Sequence, residues 1–304
     1  MIVVDAHHHL WDSHRHEHKW LDAADAVRLP RVVEGTTWDE AITDRNVHAS
    51  VVVQAGMSAA ERAWLFDLAR TSSTIRGVVI QGRLDDPCFL HTLLETKSGI
   101  GRHTLVGIRD PAVMGRLTEG SLLPGAVRDA LEAIAIHRLA LDVIAGPLDL
   151  PALAVLAAAN SQTRIVLDHL GSPPLGEHAA LRQWRDDLKR VANHANVRVK
   201  LSGLRPARDR IDAEAGTAAI AHALEVFGPS RAMFGSDWPV TTHVADYGSA
   251  LTRIVESTRE LGEVERRRVL AGTAVETYRL NRGSRSLAFP FQATDNRLNC
   301  SNDT

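Results

Sequence analysis

Ile2-Val3-Val4-Asp5-Ala6-His7-His8-His9 opens the chain: a β-branched apolar run that ends in three imidazoles. β-Branched residues favour strands, and successive strand side chains point to opposite faces. His7 and His9 therefore share one face, His8 takes the other, and Asp5 is expected two residues behind His7 on the His7 face. Two imidazoles converging at a strand end suit a metal ion or a polarised water. Seven further strands are expected at Ser50–Gln54, Gly77–Gln81, Leu105–Arg109, Leu139–Val143, Arg164–His169, Val197–Ser202 and Ala232–Ser236. Helical periodicity fills the intervals. One helix is expected over 150–160, with Asp149 as N-cap and Pro151 in its first turn; others cover 179–192 and 213–227, the last stopped by Gly228 and Pro229. Such alternation implies parallel strands joined by helical crossovers, and eight strands predict a closed (β/α)8 TIM barrel of the α/β class. No Gly-x-Gly-x-x-Gly follows the first strand, which counts against a dinucleotide-binding sheet. The expected organisation is one barrel over residues 1–282, a loop from Asp12 to Val33 over its mouth, and a polar tail over 283–304.

Composition narrows the function classes. The 304 residues are 44% hydrophobic and 24% charged, with a formal net charge of -2, ordinary for a globular protein and unsuited to a nucleic-acid surface. A small molecule is the expected partner, and a homodimer is compatible with the sequence. Cys88 and Cys300 are too far apart in sequence to make a disulfide framework or a zinc ribbon, and read as free thiols of a reducing compartment. Apolar stretches such as Leu153–Ala159 are too short to span a bilayer, and no basic signal-peptide start is seen; a soluble cytoplasmic protein is expected.

In a barrel of this kind the active site gathers at the C-terminal ends of the strands. The polar residues there are His7 and His9 on the first strand, Arg109 on the fourth, Asp142 on the fifth, His169 on the sixth, Lys200 on the seventh and Asp237 on the eighth. Ionisable groups on most strand ends are hard to explain by packing, because buried charge is costly unless paired or used. Asp168 and His169 are neighbours, so alternation turns one of them away. Lys200 reads either as a substrate-binding cation or as a buried partner of Asp237 or Asp142. Trp20 on the mouth loop and Trp238 beside Asp237 are candidate walls for a substrate ring, and Trp238 reads equally well as packing. His14, His16 and His18 imitate a metal-binding strand, but their setting, Ser-His-Arg-His-Glu-His-Lys, reads as a solvated loop.

Four segments carry a resemblance. Asp-Ala-His-His-His-Leu-Trp-Asp from Asp5, Leu-Asp-His-Leu-Gly from Leu167, Val-Lys-Leu-Ser-Gly-Leu from Val199 and Met-Phe-Gly-Ser-Asp-Trp-Pro-Val from Met233 together resemble the amidohydrolase superfamily. The chain is most similar to the lactonase group that includes L-fuconolactonase, L-rhamnonolactonase and 2-pyrone-4,6-dicarboxylate lactonase. The resemblance implies that Asp237 is general base on an attacking water and then returns the proton to the departing ring oxygen. It also implies that His169 polarises the carbonyl together with His7 and His9. Ester cleavage needs such a base and a cationic or hydrogen-bonding group at the developing oxyanion, for which Lys200 and Arg109 are candidates. The expected activity is hydrolysis of a small sugar-derived or carboxylated lactone to its hydroxy acid. The alternatives are a zinc-dependent decarboxylase acting on an aromatic or muconate-type acid, and a non-catalytic binding protein.

Departures from the superfamily pattern bear on the cofactor. The fourth strand ends in Gly-Ile-Arg-Asp, without the bridging lysine or glutamate of two-metal relatives. The fifth strand carries Asp142 rather than a histidine, and His137 precedes that strand. Two metals are therefore not expected; a single divalent ion, zinc, held by His7, His9, His169 or Asp237, and a metal-free site both stay open. Thr273 stands where relatives carry Asn, and a local effect at a helix start is expected.

Overall fold

The computed structural model describes residues 1–23, 28–86, 88–99, 104–111, 113–116, 125–204, 213–242 and 245–280. Eight strands, Val3–His8, Val47–Val53, Ile75–Gln81, Leu105–Arg109, Ala140–Val143, Arg164–Leu167, Val197–Leu201 and Ala232–Phe234, pair in chain order, each parallel to the next. The last returns to the first through a parallel bridge between His8 and Trp238. The Asp237 N–H donates to the His7 carbonyl at 2.8 Å and the His9 N–H to the Trp238 carbonyl at 2.7 Å. Closure thus places the histidine end of the first strand directly against the aspartate that follows the eighth.

The strand pattern splits the apolar residues into two layers. Val4, Ala6, Ala49, Val51, Val53, Val79, Ala140, Val166 and Met233 fill the barrel interior. Ala274, Val275 and Tyr278 belong to the same cluster, so the last helix among the described residues, Thr273–Tyr278, closes the barrel floor. Thr273 starts that helix and its hydroxyl donates to the Pro229 carbonyl at 2.9 Å. The outer layer packs strand residues such as Val52, Ile80 and Ile108 against helices including Ala59–Thr71, Gly125–Ile136 and His178–Ala192. Each fully buried aliphatic side chain contributes about 1.5–3 kcal/mol.

The helices expected over 150–160, 179–192 and 213–227 are found at Leu150–Ala159, His178–Ala192 and Ala213–Phe227. Asp149 stands at the N-cap position of the first, as expected, but its carboxylate turns away from that helix and accepts the Gly146 N–H at 2.8 Å, within a short turn over Pro147–Asp149. At the mouth, Trp11–Asp12 pairs antiparallel with Val32–Val33 and ties the two ends of the mouth segment together. The Trp20 indole donates to the Ala55 carbonyl at 3.0 Å. His18 corrects the solvated-loop reading: it is buried, with Nε2 3.2 Å from Glu61 Oε1. The buried Glu61 carboxylate also accepts the Ala55 and Gly56 N–H groups. His14 is exposed and His16 half-buried. Cys88 is an exposed free thiol, whereas Cys300 and the tail over 283–304 lie outside the described residues. Among the described residues, no helix is long and apolar enough to cross a membrane.

Candidate active site

The first strand is not regular. Its register against the second slips between Asp5 and His8. Val4 and Ala6 both lie in the interior cluster, so Asp5 between them points outward, and the slip turns His7 inward directly after Ala6. Asp5 therefore does not share the face of His7, as plain alternation expects. Its carboxylate caps the irregularity, accepting the His7 N–H at 2.9 Å and the Ser236 N–H at 3.0 Å. Burial pushes the Asp5 carboxyl up to about 6 despite those bonds. His8 faces outward, stacked on Trp38 at 3.7 Å with its Nε2 3.0 Å from Ser50 Oγ.

His7 and His9 converge, their Nε2 atoms 3.0 Å apart. His9 Nδ1 lies 2.7 Å from the Val53 carbonyl, so it carries the proton and the His9 Nε2 lone pair faces the pocket. Burial, reinforced by Lys200 for His7 and by Arg109 for His9, holds both rings well below the usual histidine range, so both are neutral at pH 7. Asp237, at φ +55°, aims Oδ1 between them, 3.7 Å from each Nε2.

The turn after the sixth strand overrides alternation a second time. His169 and Leu170 are left-handed, at φ +53° and +58°, which lets both Asp168 and His169 face inward. His169 Nε2 stands 3.9 Å from Asp237 Oδ1 and its Nδ1 2.9 Å from Ser202 Oγ. Asp168 Oδ1 lies 3.3 Å from His7 Nδ1. The expectation that one of this pair turns away is thus incorrect. Gly203, at φ +60°, packs against His169 so closely that a Cβ there would fall 2.3 Å from Nδ1.

Lys200 is fully buried beneath this pocket. Its ammonium lies 2.5 Å from Asp142 Oδ2, 3.0 Å from Asp168 Oδ1 and 3.1 Å from His7 Nδ1. The Tyr278 hydroxyl, 2.9 Å from both Asp142 oxygens, completes the cage from the floor. Burial opposes ionisation of both carboxylates, but Lys200 holds Asp168 well below the carboxylate range, while Asp142, beside the Asp168 charge, is pushed up to about 6. Lys200 is thus enclosed by side chains, and the buried pairing with Asp142 that the sequence left open is found, with Asp168 as a further partner. Arg109, also buried, sits at the edge, Nη1 3.7 Å from Asp168 Oδ2 and Nη2 donating to the Gln54 carbonyl at 3.0 Å. Gln81 donates to the same carbonyl at 2.7 Å.

The indole of Trp238 is buried in the outer core, 5.7 Å from Trp38, which favours the packing reading over a substrate wall. Trp20 is half-buried at the mouth, edge-on to Trp11 at 5.2 Å. His137 follows the helix Gly125–Ile136 and precedes the fifth strand, at the end of the barrel away from the site. Tyr278, Gly203, Gln54 and Gln81 belong to the site's frame and were not singled out by sequence reasoning. The Ser-Gly pair after the seventh strand carried a signal for Gly203, since glycine at a strand end marks close approach of another group. Tyr278 carried none.

Two groups among the described residues bring metal-ligating atoms within 4.8 Å: His7, His9 and Asp237, and His7, Asp168 and His169. Neutral imidazole nitrogens with one carboxylate oxygen are the donor set of catalytic zinc sites, so the first group fits a single ion.

Residues 4–280 match the family model described as Amidohydrolase. An L-fucono-1,5-lactonase from Burkholderia ambifaria is 30% identical over 296 residues, covering 92% of this chain and 97% of that protein. A second, from Burkholderia multivorans, is 30% identical over 295 residues, covering 92% and 96%. A crystal structure of an amidohydrolase from Burkholderia multivorans with bound zinc superposes with a TM-score of 0.80 at 27% identity, covering 92% of this chain and 99% of that one. A probable 2-pyrone-4,6-dicarboxylic acid hydrolase from Acinetobacter baumannii shares the fold, with a TM-score of 0.70 at 17% identity, covering 91% and 99%. This chain is a hydrolase and belongs to the amidohydrolase family.

Proposed function

We propose that this enzyme opens a small lactone, sugar-derived or carboxylated, to its hydroxy acid with a water activated by Asp237. The observation that carries the reading is one carboxylate oxygen, Asp237 Oδ1, ringed by the Nε2 atoms of His7, His9 and His169 at 3.7 to 3.9 Å. Those separations exceed a direct hydrogen bond and leave the carboxylate oriented toward the space between the rings.

Water beside Asp237 Oδ1 attacks the carbonyl carbon, and the carboxylate takes its proton. His169, held by Ser202 and the most exposed of the three rings, lies where the carbonyl oxygen becomes an oxyanion. Arg109 supplies positive charge from the rim and suits a carboxylated substrate. Collapse breaks the bond to the ring oxygen, and Asp237 returns the proton to that oxygen, releasing the hydroxy acid. Lys200, out of substrate reach, acts through His7 and Asp168. A zinc ion bound by His7, His9 and Asp237 would supply Lewis-acid polarisation of the carbonyl. The decarboxylase alternative gains no ligand from the fifth strand, whose inward residue Asp142 is engaged by Lys200 and Tyr278.

The test is a panel of aldonolactones and carboxylated lactones, with and without chelator, following acid release and carbon dioxide. Acid release without carbon dioxide supports the reading. Carbon dioxide evolution from an aromatic acid, with no lactone opened, would replace it.

A further inference from the structure

His7 Nδ1 is contested. The Lys200 ammonium donates toward it from 3.1 Å, and Asp168 Oδ1 stands ready to accept from it at 3.3 Å. One ring nitrogen can serve only one of them, because it either bears a proton or offers a lone pair. The two choices leave opposite faces to the pocket. With Lys200 donating, Nδ1 is bare and Nε2 carries the proton. That Nε2–H then points at His9 Nε2, 3.0 Å away, whose lone pair is free because His9 Nδ1 donates to the Val53 carbonyl. The chain Lys200, His7, His9, Val53 is thus complete, and neither pocket nitrogen is available to a metal. With Asp168 accepting, Nδ1 carries the proton and both Nε2 lone pairs face Asp237.

A second observation marks Asp168 as the waiting partner. Neither of its buried carboxylate oxygens receives a hydrogen bond among the described residues, although Lys200 and Arg109 lie near. The Lys200 ammonium forms an ion pair with Asp168 Oδ1 at 3.0 Å, but its hydrogen bonds run to Asp142 and His7, and Tyr278 fixes Asp142 from the floor.

We propose that Lys200 and Asp168 compete for His7 Nδ1, and that this contest sets how tightly the His7–His9–Asp237 group holds a divalent cation. Lys200, anchored by Asp142 and Tyr278, is a positioning residue that favours the metal-free arrangement. Asp168 is the carboxylate that orients the metal-ligating one. The inference rests on reading that group as a cation site, and its test needs no lactone, so it fails or stands independently of the activity.

The experiment is calorimetric titration of zinc into chelator-treated protein, with ring ¹⁵N spectra of His7 before and after. Lys200→Met leaves two buried carboxylates facing one another, so the informative variant is Lys200→Met/Asp142→Leu, which removes one charge of each sign. It is expected to bind zinc about 10- to 100-fold more tightly, the range by which such outer partners tune affinity. Asp168→Asn is expected to bind zinc about 10-fold more weakly. Loss of packing alone would weaken both. In the unsubstituted protein His7 is expected as the Nε2–H tautomer without zinc and Nδ1–H with it. A double variant that binds zinc no tighter than the parent, or a zinc-free His7 already protonated at Nδ1, overturns the proposal.

Discussion

Gly203→Ala disables His169 without touching its chemistry. The new Cβ would lie 2.3 Å from His169 Nδ1, 2.5 Å from Cγ and 2.8 Å from Cβ, well inside contact distance. The ring cannot keep its place, and it surrenders the 2.9 Å bond to Ser202. Alanine at φ +60° adds roughly 1–2 kcal/mol of backbone strain, the cost of the left-handed conformation for a residue with a Cβ. That loss is readable by urea unfolding but leaves most of a typical domain stability of about 5–15 kcal/mol. The effect on turnover is larger. Removing one oxyanion donor costs about 10²–10³ in kcat, and in the proposed role a displaced His169 amounts to a removed one. The assay is a cycle of Gly203→Ala, His169→Asn and the double variant on the best lactone of the panel. Both single variants are expected to lose comparable kcat, and the double no more than either, since both abolish the same interaction. A Gly203→Ala enzyme with parental kcat, or losses that multiply in the double variant, would refute the placement of His169 at the reacting oxygen.

Two further outcomes follow from the buried groups. Tyr278→Phe removes a hydroxyl that donates to a buried carboxylate and is expected to cost about 1.5–3 kcal/mol, measured by urea unfolding; a loss under about 0.5 kcal/mol would mean that Lys200 alone satisfies Asp142. Burial holds His8 down to about 3 against an unfolded value of 6.5, so its neutral form stabilises the fold fully above pH 6.5 and that stability drains away as pH falls toward 3. At pH 5 the loss is about 2 kcal/mol relative to pH 7.5. His8→Phe, stacked on Trp38 in the same layer, is expected to flatten the stability difference between pH 7.5 and 5 by that amount; equal slopes in parent and variant would contradict it.

The barrel was legible because eight short apolar runs, most of them carrying β-branched residues, alternate with helical periodicity, and each observed strand overlaps its expected stretch, with ends shifted by up to three residues. The strand ends also named most of the site: His7, His9, Arg109, Asp142, Lys200 and Asp237 all face one region. Alternation failed where the backbone departs from a regular strand. A register slip moved Asp5 to the outer face while keeping His7 inside, and a left-handed turn let Asp168 and His169 point the same way. Nothing in a period of two anticipates either. Charge reading left Lys200 open between substrate and a buried partner such as Asp142, which is the pairing found. Lys200 was recognisable as cationic and interior, but depth within the barrel decides whether a cation meets substrate or other side chains, and depth depends on the floor residue Tyr278, 78 positions further on. His18 looked solvated because its neighbours are charged, whereas its partner Glu61 comes from a distant helix.

In the proposed reaction Asp237 delivers a water to a lactone carbonyl inside a ring of three imidazoles. The most direct measurement is the turnover of Asp237→Asn on the lactone the parent opens fastest, with folding checked by circular dichroism. Loss of the base is expected to lower kcat by about 10²–10⁴ while the variant stays folded. A folded Asp237→Asn enzyme that opens the lactone at the parental rate would contradict the account.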